Sequence, residues 1–142
     1  VCSSDLEEIE ATYKKPVANI INELGLKTFR SYEVQVLSKF INLNCEKGQK
    51  LIISLGGGAL NQETLKILKG HSAKLIRLNT PFEVCYKRVL EDCVKRPLSI
   101  KSREELYEIY KEREIYYQRA DITLKNGEED KLIEFITSST MN

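Results

Sequence analysis

Three consecutive glycines, Gly56-Gly57-Gly58, follow the apolar run Leu51-Ile52-Ile53-Ser54-Leu55. An apolar run that stops abruptly at glycine predicts a buried parallel strand ending in a tight turn. Bare backbone can take φ > 0, let a ligand approach the main chain, and offer N–H groups to an anion. A strand-to-helix turn without a ligand needs only one glycine, and three carry a backbone entropy cost, so a ligand site is favoured. Ser54, just before the glycines, has a hydroxyl suited to a metal-bound water; its bland alternative is a small buried strand residue.

Three arginines add chemistry. Arg30 and Glu33 are three apart on a predicted helix and share a face. Glu33 can then hold Arg30 as a planar fork for a carboxylate or phosphate. Taken alone, the pair reads as a solvated ion pair of little worth. Arg96 stands before Pro97 in the polar stretch 91–101. A closing loop with a permanently charged arginine is how phosphoryl-transfer enzymes neutralise the transferred group, although a surface arginine before a turn proline is commoner. Arg113 and Tyr117, four apart, face the same way, which also describes an arginine stem packed on a ring.

The elements that must carry these residues follow from periodicity and punctuation. Residues 5–13 predict a polar helix. Pro16 opens a second helix and Gly25 ends it. Phe29, Val36, Leu37, Phe40 and Ile41 recur at helical spacing within 28–44. Asn61–Lys69 predicts a helix closed by Gly70, and Lys74–Asn79 a strand. Thr80-Pro81-Phe82-Glu83 and Ser102-Arg103-Glu104-Glu105 have the form of capping boxes, opening helices to about Leu90 and Arg119. Asp121–Leu124 predicts a last strand and Glu128–Ser138 a last helix. Alternating strands and helices imply an α/β fold with a parallel sheet. The first fifty residues yield no convincing strand, so the domain reads as incomplete at its N-terminus.

Bulk properties narrow the function. The chain has 142 residues, 22 basic and 21 acidic, with a net charge of +1. This fits one domain and gives no bulk-charge footprint for nucleic acid or a membrane. No apolar run approaches the roughly 20 residues of a membrane span, and no signal peptide opens the chain, which points to the cytoplasm. Cys2, Cys45, Cys85 and Cys93 lack paired spacing and His71 is the sole histidine, so a zinc site is disfavoured and the thiols read as incidental. His71, after Gly70, reads as a surface residue.

Taken in order, Phe29-Arg30-x-x-Glu33, Leu51–Leu60 (LIISLGGGAL), Arg96-Pro97-Leu98 and Arg113-x-x-x-Tyr117 with Ala120-Asp121 resemble shikimate kinase, over about residues 7–136. The resemblance implies a P-loop, nucleoside-monophosphate-kinase-like parallel sheet with helices on both faces. It implies transfer of the ATP γ-phosphoryl group to the 3-hydroxyl of shikimate, with Mg²⁺, in aromatic amino acid biosynthesis. Arg30 and Arg113 would clamp the shikimate carboxylate, with Glu33 orienting Arg30. Gly57 and Gly58 would contact the ring hydroxyls. Ser54 would meet the metal through water, Arg96 would close onto the phosphates as the catalytic arginine, and Arg88 would lie against the adenine. The expected organisation is a single domain, 1–142, with an acceptor-binding region at about 7–45 and a lid at about 91–104. A monomer without nucleic-acid or membrane partners is expected.

The departures are specific. No G-x-x-x-x-G-K-[ST] phosphate loop occurs in the 142 residues. The family's Asp-x-Asp falls at Ser4 and Leu6, with only Asp5 nearby and one place out of register, so the acceptor-side role is not carried to it. Gly25-Leu26 stands for the family's Gly-Glu. Val1–Leu6 match nothing expected and read as foreign, replacing roughly thirty residues of strand, P-loop and helix. In the family the missing strand lies mid-sheet, between the Leu51 and Lys74 strands. A chain without it is expected to be of low stability and inactive alone. Alternatives are another small P-loop kinase, such as a gluconate kinase, or a pseudo-kinase that keeps only the shikimate site.

Overall fold

The structure, a computed structural model, describes residues 2–92 and 101–140. It divides into two compact units, Val1–Ser72 and Ala73–Asn142. In the first, β1 (Cys2–Ser4) leads into α1 (Asp5–Tyr13), α2 (Val17–Leu24) and α3 (Leu26–Glu46), and then β2 (Ile52–Ser54) and α4 (Gln62–Gly70). In the second, β3 (Ile76–Leu78) is followed by α5 (Phe82–Glu91), α6 (Arg103–Tyr117), β4 (Ile122–Leu124) and α7 (Glu129–Thr140).

Each unit holds one parallel pair of strands. β1 pairs with β2, Ser4 opposite Ser54, and β3 pairs with β4, Leu78 opposite Leu124. Parallel strands need a long crossover, and helices supply it in both units. The strand β1 corrects the expectation that the first fifty residues contain none. It is three residues long and includes two serines, so it carries neither the apolar run nor the alternation by which strands are read. β2 is also less buried than predicted: Ile52 is 49% exposed, and Ser54 is exposed rather than buried. The reason is that β2 has one strand neighbour, not two, among the described residues.

The core of the first unit lies among its three leading helices. Ile9 of α1, Ile20 of α2, and Phe29 and Val36 of α3 form one buried cluster, with Leu6, Tyr13, Val17, Ile21 and Tyr32 packed against it. Tyr13 stacks on Tyr32 with centroids 4.5 Å apart. Gly25, at φ 82°, ends α2 and starts α3 in a conformation that side-chain-bearing residues rarely adopt, so the break between the two helices is fixed by that residue.

The second unit is tied differently. Phe82 of α5 meets Tyr107 and Tyr110 of α6 edge-on, at 5.0 and 5.5 Å. Arg103 lies over the Phe82 and Tyr86 rings and pairs with Glu83. Arg77 of β3 grips Glu114 of α6 with both guanidinium ends, at 2.6 and 2.8 Å, and also donates to Asn79 Oδ1. Of the two predicted capping boxes only one forms. Ser102 accepts from Glu105 N while Glu105 accepts from Ser102 N. Thr80 does not cap α5, whose boundary residue is Pro81 without a side-chain cap; instead the Thr80 carbonyl accepts from Tyr110 Oη at 3.1 Å. Asp121, one of the residues of the family resemblance, accepts from Leu75 N at 2.6 Å and locks β3 to β4.

Two substitutions test these assignments by urea denaturation. Phe29→Ala empties the centre of the first core and is expected to cost about 3–5 kcal/mol. Ser102→Ala removes the cap of α6 and is expected to cost about 1 kcal/mol.

Candidate active site

The glycine run forms a turn closed by Ala59 N donating to Gly56 O at 3.0 Å. Neither Gly56 nor Gly58 has positive φ, which corrects the expectation of a left-handed backbone there. Their need for glycine is steric. A Cβ on Gly58 would stand 2.0 Å from Arg30 Nη2, and one on Gly56 would stand 3.3 Å from Leu6 Cδ2. The turn is held from below: Ala59 and Leu60 are buried, and Thr64 Oγ1 donates to Ala59 O at 2.8 Å. Asn61 caps α4 by accepting from Glu63 N and Thr64 N.

The sequence predicted that a turn N–H would meet an anion. In the structure, the group that one of these N–H groups meets is a side chain of the protein itself. Gly56 N donates to Asp5 Oδ1 at 2.8 Å. Asp5 is only 2% exposed at the start of α1, directly after β1, and its Oδ2 has no hydrogen-bond partner. Sequence reading singled Asp5 out but did not carry a role to it, because register was judged from the family pattern. In three dimensions the step from β1 into α1 turns this carboxyl under the glycine turn.

Glu33 completes the cluster. Arg30 Nη1 donates to Glu33 Oε2 at 2.7 Å, and Glu33 is 1% exposed while the Arg30 side chain keeps 28% exposure. This is not the solvated ion pair that spacing alone suggested. Glu33 Oε1 is buried without a partner. The Arg30 guanidinium lies 5.3 Å from the Phe29 ring centroid and against Gly58. One end of the guanidinium is thereby anchored and its exposed part faces outward, as a carboxylate receptor requires.

Burial pushes the Glu33 carboxyl up from its ordinary value; Arg30 opposes this, and the neighbouring Asp5 adds to it. Burial likewise pushes Asp5 up, against the Gly56 and Leu6 N–H groups, Glu33 and Arg30. The other residues of interest lie apart in the sequence. Ser54 ends β2 with its side chain exposed. Gly57 is exposed at the turn. Arg88 is an exposed residue in the last turn of α5. Arg113 and Tyr117 are half-buried on α6, with Glu114, the residue gripped by Arg77, next to Arg113. Arg96, with Pro97 and Leu98, lies outside the described residues, as does Cys93. Cys45 and Cys85 are free thiols and His71 is exposed. Among the described residues no group of three or more His, Cys, Asp or Glu could hold a metal ion, and no helix is long and apolar enough to cross a membrane.

The raised carboxyls have a consequence for stability. Asp5 and Glu33 bind protons more tightly folded than unfolded. Folding is then favoured most below their unfolded values, about 4, and stability falls as pH rises through the folded values. Thermal melts between pH 4 and 8 should show this alkaline-side loss, and Asp5→Asn should flatten it.

Relatives of known type share this arrangement of sequence. The family model "SKI: Shikimate kinase" matches residues 3–140. A shikimate kinase of Dictyoglomus turgidum is 37% identical over 131 residues, covering 89% of this chain and 73% of that protein. One of Persephonella marina is 31% identical over 119 residues, covering 83% and 68%. The crystal structure of the Aquifex aeolicus shikimate kinase superposes with a TM-score of 0.75 at 27% identity, covering 98% of this chain and 80% of that one. The Acinetobacter baumannii enzyme in complex with shikimate has the same fold, with a TM-score of 0.78 at 24% identity and coverage of 99% and 80%. With a family match from residue 3 to residue 140 and the shared P-loop-kinase fold, this chain belongs to the shikimate kinase family.

Proposed function

We propose that the chain carries the acceptor site of a shikimate kinase, built on Asp5, Arg30, Glu33 and the glycine turn. The observation that carries the reading is the anchored guanidinium: Arg30 is fixed by buried Glu33 on one side and by bare Gly58 on the other. A ring acid such as shikimate presents a carboxylate, which the exposed part of Arg30 would bind. An arginine fork on a carboxylate sets orientation as well as affinity, and orientation is most of what phosphoryl transfer asks of a protein. The backbone at Gly57 and Gly58 would receive ring hydroxyls. Asp5, buried beside the turn, would in its carboxylate form take the proton of the attacking hydroxyl.

The nucleotide side rests on the family. ATP supplies the phosphoryl group and Mg²⁺ balances its charge. Ser54, exposed at the end of β2, would meet Mg²⁺ through water. Arg96 would neutralise the transferring group, and Arg88 would support the adenine. The 142 residues contain no G-x-x-x-x-G-K-[ST] sequence. The acceptor half is therefore the part of the reaction assigned to them, and turnover is expected only when a strand–loop–helix bearing that sequence is joined to them.

Titration calorimetry with shikimate tests the acceptor site. The chain should release heat on binding, and Arg30→Ala should weaken binding at least tenfold. Gly58→Ala should do the same and should also lower the melting temperature, because its Cβ displaces the guanidinium that partners buried Glu33. No heat at millimolar shikimate would refute the assignment. ADP release that depends on shikimate, after joining the phosphate-loop segment, tests the transfer itself.

A further inference from the structure

Three charged groups are confined together in the first unit: Asp5 from α1, and Arg30 and Glu33 from α3. The Gly56 and Leu6 backbone N–H groups also face the Asp5 carboxyl. Asp5 and Glu33 are at most 2% exposed, and each keeps one oxygen, Oδ2 and Oε1, buried without a partner. Two buried acids face one guanidinium, and the acids lie within side-chain hydrogen-bonding reach of each other. Two full negative charges beside a single positive one, away from water, cost far more than one proton held between them. A proton held between the two acids would supply the hydrogen bond that their unpartnered oxygens lack.

We propose that Asp5 and Glu33 share one proton at neutral pH, and that a ligand carboxylate arriving on Arg30 raises their affinity for a second. The inference rests on the acceptor-site reading for its second half alone. In the empty site the charges balance: Arg30 is positive, and the pair carries one negative charge, residing on Asp5 while Glu33 donates. A substrate carboxylate then takes up the Arg30 charge and leaves the site with one negative charge too many. Phosphoryl transfer moves that charge from the acid pair onto the products. The proton of the acceptor hydroxyl passes to the Asp5 carboxylate, and the O–H electron pair stays on the oxygen. That oxygen bonds to the γ-phosphorus of ATP, the bond to the β–γ bridging oxygen breaks, and ADP leaves with those electrons. Asp5 is thus made the stronger base by the substrate it serves. Glu33, beyond anchoring Arg30, sets the proton affinity of Asp5 and is a positioning residue with a titrating role.

The test uses the full chain with ¹³C-labelled Asp and Glu carboxyls, titrated by NMR from acid to alkaline pH, without and with saturating shikimate. The free chain should show Asp5 and Glu33 titrating in two coupled steps with one proton retained at pH 7. Shikimate should move the upper step about one pH unit higher, with a fraction of a proton taken up on binding, read by calorimetry in two buffers of different ionisation heat. In Glu33→Gln the amide imitates the protonated acid, so Asp5 should titrate in one step at lower pH and the proton uptake should shrink. Two carboxyls that ionise independently in the ordinary range would overturn the shared proton. Coupled steps without any shikimate heat would overturn the ligand linkage and the acceptor-site reading, and would leave the shared proton established. Shikimate heat without proton uptake would overturn the linkage alone.

Discussion

The Arg30–Glu33 contact is the constraint around which the first unit is arranged. An acid with 1% exposure requires a partner, and Arg30 provides one at 2.7 Å. That demand fixes where the guanidinium lies, and the guanidinium fixes what residue 58 can be. Any side chain there would collide with Nη2 or the guanidinium carbon. Glu33 sits between Phe29 and Val36, which are core residues on the same helix, so the burial of the acid and the packing of the core are a single event. Removing the cation while keeping the acid leaves a buried, uncompensated charge, the costliest way to break such a pair.

The same cluster explains how a short polar strand is tethered. β1 offers the first unit three residues and little apolar surface. Its hold on the turn after β2 comes from the three-residue parallel ladder and from Asp5, whose carboxylate takes Gly56 N just beyond the ladder's end. A carboxylate on a backbone N–H is a charge-assisted bond, stronger than the neutral ladder bonds it continues. Structure and chemistry draw on one group here: the acid that fastens the turn is also the acid proposed as the base.

The second unit meets a different need. Its helices α5 and α6 share few buried aliphatic residues, and Leu106 and Leu124 are its only buried hydrophobic residues among those described. Aromatic edges and cations fill the gap, with Phe82 at the centre and Arg103 across two rings. The bidentate Arg77–Glu114 bridge sets the rotation of α6 about its axis. That rotation also determines the direction in which the adjacent Arg113 leaves the helix.

Much of this was legible in the residues. Helical spacing gave α3 and α4 within a few residues of their ends, because apolar periodicity is a local property. The ordered motifs gave the family, and they singled out Arg30, Glu33 and Gly58, which the fold brings together. What spacing could not supply was burial. An i,i+3 pair looks the same on a solvated face and in a core, so only the packing of α1 and α2 over α3 turned Glu33 into a buried acid. The glycine run was read as a conformational need, yet Gly58 is required by a side chain twenty-eight positions earlier. Asp5 was discounted on register, and fifty-one positions of sequence separate it from the amide it serves. The sequence by itself determined which groups were available and which helices present them. Tertiary structure decided which of them share a charge, because desolvation and contact between distant segments exist only once the chain has closed on itself.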